Sequence, residues 1–492
     1  MSTYDLIVIG GGPSGSTLAS LVAMAGHRVL LLEKEQFPRH QIGESLLPAT
    51  VHQIAELLGI KERIRRSGFI VKRGATFSWG TEPGTLWTMN FGRLPPDQAE
   101  LPPNAPFAYN VPRHEFDWLL LQNAMEKGVE VRQSCTVTEL VSEDGRVGGV
   151  RFTDAHGVGR EARGRFVAIT TGQVALANRL LGPREYSEFF RKIGVFGYFE
   201  GAGRLAFPLD GNTFFETDGT AWLWYIPLSK ELTSVGAVLP AKDGATVKGH
   251  PREALDYYIG RCPIVAGMLR HARPATVEPF VPVRLRSEYS YCRTSFWAPG
   301  VFAVGDAACF VDVLLSSGVH LATYGALLAA RSVNSILDGA VTETHGMNEF
   351  ETRLRLEYGI FYRGLVGLYD MHQSSEAYAT WLRSLLQDTN GVFVEWAEDS
   401  SFAPLAEPAP DAVARGVSNI DAMRAYNAAQ VRYDGGPGMF DNPPPPIRFT
   451  LSASSDWLRW AAPVPAPASP VAPDPEIGQT SVAPLPAGSA AS

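Results

Sequence analysis

Cysteine is scarce: only Cys135, Cys262, Cys292 and Cys309 occur in 492 residues. No two of them form a Cys-x-x-Cys pair, so neither a zinc knot nor a disulfide framework is indicated. A reduced cytoplasm is the expected setting. No block of lysine and arginine stands out, and the formal net charge is −8. With no basic block to neutralise phosphates, the sequence argues against a nucleic-acid partner. No apolar run reaches the roughly 20 residues of a membrane span, and the first residues lead straight into a strand without a signal sequence. A membrane partner is therefore not expected.

What is present is ordinary for a globular protein, 45% hydrophobic and 19% charged, and long enough for two or three layers over a shared core. Strand-like and helix-like segments alternate to about residue 180, which predicts α/β architecture. Short β-rich runs follow at Lys192–Phe199, Gly211–Glu216, Ala221–Pro227 and Leu232–Leu239, suited to a sheet laid over a ligand. Helical periodicity returns over 320–335 and 348–372, the latter carrying Phe350, Leu354, Phe361, Leu365 and Leu368. No internal repeat is visible. A core over 1–375 is expected, with nucleotide-binding parts at about 1–185 and 285–340 and the sheet at about 186–284. Residues 376–460 would form a C-terminal access region, with Gly435–Pro446 as a loop or strap. Residues 461–492, dominated by Pro, Ala and Ser, would be a disordered tail.

Tyr4–Ile9 is a short apolar strand followed at once by Gly10-Gly11-Gly12-Pro13-Ser14-Gly15. Gly10, Gly12 and Gly15 stand in GxGxxG register before a helix running to about Ala25. The first glycine permits the tight turn, the second lets the backbone approach a pyrophosphate, and the third allows helix–strand packing. A second strand, Arg28–Leu32, ends in Glu33 and Lys34, and the Glu33 carboxylate falls where an acid takes up ribose hydroxyls. Further on, Val301–Val304 leads into Gly305-Asp306-Ala307-Ala308, an aspartate placed to bond a ribityl hydroxyl among small residues.

This string resembles the second FAD motif of the flavoprotein monooxygenase superfamily, the para-hydroxybenzoate-hydroxylase-like fold with its GR2-type Rossmann FAD domain. Pro38–Leu46, with Arg39, Gly43, Glu44 and Ser45, is similar to that family's loop beside the flavin. Val111–Asp117 resembles its VxRxxFD segment, in which Arg113 would border the cofactor. A second glycine fingerprint for a nicotinamide is missing, because Gly157, Gly159 and Gly164 lie in a polar turn in the wrong register. FAD is therefore expected to arrive as FADH2 from a separate flavin reductase.

Three strings narrow the resemblance to the flavin-dependent halogenases. Trp222–Pro227 matches WxWxIP. On a strand, Trp222, Trp224 and Ile226 face one way, and the family relation implies that the indoles bar substrate from the flavin. Phe69–Gly80 is close to FxxKxGATFxWG and sets Lys72 at the family's catalytic lysine, with Arg73 beside it expected to face solvent. A buried amine has a lowered pKa and is nucleophilic, unlike a guanidinium. Phe310–Gly318 resembles FxxPxxSxG, which implies that Ser317 and Gly318 offer backbone N–H groups to chloride or bromide.

The match departs at Val313, where the family has proline, and at Ile169, where relatives read DASGQ and this chain reads ITTGQ. Leu315 stands where tryptophan-acting members carry a glutamate, so the resemblance points to the branch acting on phenolic or pyrrolic rings, often on a carrier protein. What it implies is a reaction in which reduced FAD and oxygen turn halide into hypohalite, which travels to Lys72 and halogenates an activated aromatic carbon. A flavin monooxygenase or reductase on the same scaffold, or a catalytically silent flavin-binding partner, stays open beside it. His320 and His372 read as core or helix-surface histidines.

Overall fold

Val29–Leu32 and Tyr4–Ile9 are apolar on both faces, the pattern of strands covered from both sides. The computed structural model, which describes residues 3–78, 86–91, 107–174, 180–187, 189–287 and 290–371, pairs them in parallel, Leu6 opposite Val29 and Ile9 opposite Leu32. They sit inside an eight-stranded sheet whose parallel centre runs Val301–Ala303, Gly159–Ile169, Thr3–Ile9, Val29–Leu32, Glu130–Arg132. The antiparallel hairpin of Thr136–Glu143 and Arg146–Thr153 extends from Gly159–Ile169. Helices Pro13–Met24, Arg113–Glu126 and Ser317–Leu337 pack on this layer, and Glu343–Met371 covers Ser317–Leu337.

A second eight-stranded sheet holds Lys192–Glu200, Leu232–Pro240, Trp222–Pro227 and Thr213–Thr217, each within a residue or two of the run read from sequence. Gly74–Ser78, from the N-terminal third, pairs in parallel with Thr213–Thr217, Ala75 opposite Thr213 and Ser78 opposite Glu216. Lys72, two residues earlier, lies in a separate two-stranded sheet, opposite Ala108. The outer face of the sheet has its own core of Val195, Leu223, Tyr225, Val235 and Leu255. Part of that core comes from the helices Pro251–Arg261 and Pro263–Met268, which the strand-centred reading of 190–295 did not anticipate.

One sequence expectation needs adjustment and another holds. Arg73 is half-buried, with its guanidinium 5.3 Å from the Phe207 ring centre, instead of facing solvent. His320 is buried and bonds Glu357 at 2.6 Å, a core histidine as read. Trp79, Gly80, His372, residues 376–460, the Gly435–Pro446 strap and the 461–492 tail lie outside the described residues, as does the side chain of Leu368. Among the described residues no helix is long and apolar enough to cross a membrane.

Where Ser317–Leu337 and Glu343–Met371 meet, the Leu354 side chain comes against Gly325, and Leu354 is fully buried. Leu354→Ala should therefore lower unfolding stability by about 2–5 kcal/mol, read by denaturant titration. A change below about 0.5 kcal/mol would contradict this packing.

Candidate functional site

A cavity of about 610 Å³ is lined by residues of both sheets, from Glu33, Cys135 and Val137 to Phe310, Ser317 and Trp224. At its first end the glycine turn is tight: Gly10 has φ +108°, and a Cβ there would lie 2.6 Å from the Thr170 carbonyl oxygen. A Cβ on Gly15 would overlap the Gly10 carbonyl, so Gly15 packs against the turn while Gly10, Gly12 and Ser14 line the cavity. Gly12 ends the turn as N-cap of Pro13–Met24, and no side chain caps that helix. Its N-terminal N–H groups remain suited to a pyrophosphate.

Glu33, buried at the end of its strand, accepts the Gly11 N–H at 2.6 Å and the Glu35 N–H at 2.8 Å. A carboxylate oxygen accepts more than one hydrogen bond, so both can still meet ribose hydroxyls. Lys34 stands on the exposed rim, 3.6 Å from Glu35. Ile169 is buried in the sheet and carries no carboxylate. The next residue, Thr170, donates its hydroxyl to the Ile9 and Gly10 carbonyls at 2.8 and 2.9 Å and clasps the glycine turn.

The loop Pro38–Leu46 is tied down by charge. Arg113 grips Asp117 with two bonds of 2.7 and 3.0 Å and donates to the Ile42 and Gly43 carbonyls at 2.6 and 3.1 Å. Arg39 joins the same Asp117 at 2.8 Å. Arg113 is thus a buried brace that lines the cavity, not a surface ion-pair partner. Ser45 meets the Thr213 hydroxyl at 2.8 Å. Glu44 accepts from Tyr198 at 2.8 Å and Ser234 at 3.4 Å, and burial pushes its carboxyl up to about 7. Asp306 lies in the turn Gly305–Ala307 on the cavity wall, its carboxyl raised to about 6 by desolvation against the pull of Arg113, Arg184 and Arg286. The cavity volume, the uncapped helix and the buried carboxylates of Glu33, Glu44 and Asp306 on the wall fit a dinucleotide such as FAD.

At the far end, Trp222–Pro227 alternates as a strand must: Trp222, Trp224 and Ile226 enter the main core, Leu223 and Tyr225 the outer one. The two indoles differ in position. Trp224 lines the cavity with Phe215 and Ile226. Trp222 is not among the lining residues; its Nε1–H donates to Tyr369 at 2.8 Å, bracing Trp224 from the side with ring centres 6.3 Å apart. Gly236 faces Trp224 on the neighbouring strand, and a Cβ there would run into the indole.

The loop into Ser317–Leu337 completes that end with Phe310, Asp312, Val313, Ser316, Ser317 and Gly318. Ser316 is left-handed (φ +58°, ψ +24°), an uncommon state for a non-glycine residue. Val313, in the place of proline, restores an amide that the loop uses. The buried Asp312 carboxyl accepts the Leu314 N–H at 2.9 Å and is also pulled down by the Val313 amide, though burial still raises it to about 7.

Lys72 does not line the cavity. It lies behind the loop, 2% exposed, donating to the Leu46 carbonyl at 3.1 Å and to the Ser316 hydroxyl at 3.4 Å, with Phe91 5.0 Å away. Desolvation lowers its amine to about 7. Ser316 therefore lines the cavity and also meets the Lys72 amine. Sequence reading missed Phe215, Thr213, Arg286 and Asp312 on the cavity wall. Only Asp312 carried a signal, as an aspartate two residues before an amide it can cap.

Fold and site together define a flavoprotein whose dinucleotide cavity ends at an aromatic wall and a helix N-terminus. The sequence profile of the tryptophan halogenase family matches residues 5–103 and 93–388. The tryptophan 2-halogenase of Chondromyces crocatus is 32% identical over 399 residues, 80% of this chain and 73% of that protein. Among solved structures, the myxobacterial chondrochloren halogenase CndH, described as a new variant of FAD-dependent halogenases, is 44% identical with a TM-score of 0.76, covering 94% of this chain and 100% of that one. CmlS, a flavin-dependent halogenase, is 27% identical with a TM-score of 0.68, covering 86% and 76%. The chain belongs to the tryptophan halogenase family. It is an enzyme, a flavin-dependent halogenase that uses FADH2 and halide, built on the FAD-binding fold of those enzymes.

Because Trp224 rests on Gly236, Gly236→Ala should displace the indole, cost about 1–3 kcal/mol by overpacking and change the near-ultraviolet circular dichroism. Unchanged stability and spectrum would contradict the contact.

Proposed function

We propose that this enzyme halogenates an electron-rich aromatic ring, a phenol or a pyrrole, free or tethered to a carrier protein, in natural-product biosynthesis. A separate flavin reductase supplies the reduced cofactor. Gly10, Gly12, Ser14, Gly15, Glu33, Lys34, Arg39, Gly43, Glu44, Ser45, Arg113 and Asp306 hold FAD. Bound reduced flavin supplies, with oxygen, the oxidising power that turns halide into hypohalous acid. Ser317 and Gly318 present backbone N–H groups to the halide at the start of a 21-residue helix, whose dipole favours an anion there. Trp224, braced by Trp222, keeps the ring to be halogenated away from the cavity.

Lys72 is the catalytic residue in this reading. The observation that carries the proposal is its buried amine, brought to about 7 by desolvation and held against the Ser316 hydroxyl. A neutral amine can hydrogen-bond hypohalous acid or take the halogen on nitrogen with release of water; a charged one has no lone pair for that second step. Leu315, half-buried and packed on the core, offers no carboxylate to remove a ring proton. That favours rings reactive enough to lose the proton unaided.

Lys72→Ala, supplied with FADH2, oxygen, halide and phenolic or pyrrolic substrates, should lose halogenated product by roughly 100-fold or more while FAD affinity stays within about twofold. Retained product removes the lysine from the mechanism, and hydroxylated product alone removes the halogenase reading of the site. Since the neutral amine is the active form, product formation should plateau above about pH 7 and fall as pH drops through that value. A pH–rate profile flat between pH 5 and 8 would contradict a functional amine titrating there.

A further inference from the structure

Oxidising halide at the flavin consumes a proton from outside: FADH2 + O2 + X⁻ + H⁺ gives FAD + HOX + H2O, with atoms and charge balanced. The later transfer, HOX + ArH giving ArX + H2O, consumes none. One proton per halide oxidised must therefore reach the flavin end of the cavity. The need for that proton rests on halide being oxidised in this cavity.

We infer that His40, Tyr198 and Glu44 form the inlet for this proton. Glu44 stands on the cavity wall, and its Oε1 accepts the Tyr198 hydroxyl at 2.8 Å. Tyr198, 2% exposed, has its oxygen 2.8 Å from Nε2 of His40, which is half-buried toward the surface. With the tyrosine proton committed to Glu44, Nε2–H of His40 is left to donate to the Tyr198 oxygen, so every bond in the chain points inward. The Phe280 ring lies 4.8 Å from the Tyr198 ring centre and 6.5 Å from that of His40 and packs beside the path.

The charged groups around the path suit the task. His40 faces Arg284 and Arg286 of the strand Arg284–Ser287, Arg113 and Arg39; burial first, then these cations, lower it to about 4. It stays neutral at working pH and relays by taking a proton on Nδ1 while giving the one on Nε2. Glu44 faces Tyr198, Ser234 and Arg113, and burial lifts its carboxyl to about 7, so it can both hold and release a proton near neutrality. Its bond to Ser234 is long, 3.4 Å, and leaves the protonated carboxyl able to turn toward the cavity.

Tyr198→Phe keeps the ring between His40 and Phe280 and removes the relay oxygen. In FAD-loaded protein that is not turning over, the carboxylic-acid infrared band assigned to Glu44 by its loss in Glu44→Gln should titrate near pH 7, and Tyr198→Phe should slow its exchange in D2O. In single turnovers of pre-reduced FAD with oxygen and bromide, Tyr198→Phe should slow hypobromite formation roughly tenfold or more and raise the solvent isotope effect, with FAD affinity within about twofold. His40→Ala should slow it likewise and recover with added imidazole. Equal exchange of the Glu44 band in wild type and Tyr198→Phe, or wild-type rate and isotope effect in Tyr198→Phe, would overturn the inlet. Wild-type protein that oxidises no bromide would instead fail the functional reading, while the infrared exchange still tests the path.

Discussion

Removing one ammonium group from water is the constraint on which the rest of this site depends. Lys72 is inside the protein, where burial weakens its hold on the proton and makes its lone pair available near neutrality. Such burial is costly, and the fold meets the cost locally. The Leu46 carbonyl and the Ser316 hydroxyl take the amine's hydrogen bonds, Phe91 covers it, and the strand pairing of Lys72 opposite Ala108 fixes its place. An arginine could not be neutralised in this way.

The second element is the loop that divides the cofactor cavity from the amine. Ser316 can touch both sides because its backbone is left-handed, turning the chain sharply into Ser317–Leu337. Where a proline would have stiffened the approach, Asp312 does so through the amides that follow it, and Tyr369 links this aspartate to Trp222. The strand Trp222–Pro227, the helix Glu343–Met371 and the loop Phe310–Gly318 are thereby mechanically joined. A change in any one of them is felt at the loop between the cavity and the Lys72 amine.

Much of this is legible in the sequence because local rules dominate there. A strand, three spaced glycines and an acid can make few things, and the period-two alternation of Trp222, Trp224 and Ile226 puts all three on one face of a strand. The inequality of the two indoles is not legible. Alternation gives the face, but only Trp224 lies over the cavity, beside a Phe215 contributed by another strand. Arg73 is misplaced by sequence reasoning for a similar reason: its neighbour Phe207 comes from far along the chain. The Glu44–Tyr198–His40 chain joins two residues of one loop to a strand about 150 residues later, a separation no motif encodes.

The claim that halide is bound on one side of the loop and the halogen used on the other is tested most directly by anomalous diffraction from crystals of the FAD-loaded protein soaked in bromide. Bromide should lie against the backbone N–H groups of Ser317 and Gly318, on the cavity side, with none at the Lys72 amine. Bromide seated on that amine, with the Ser317–Gly318 turn empty, would contradict the account.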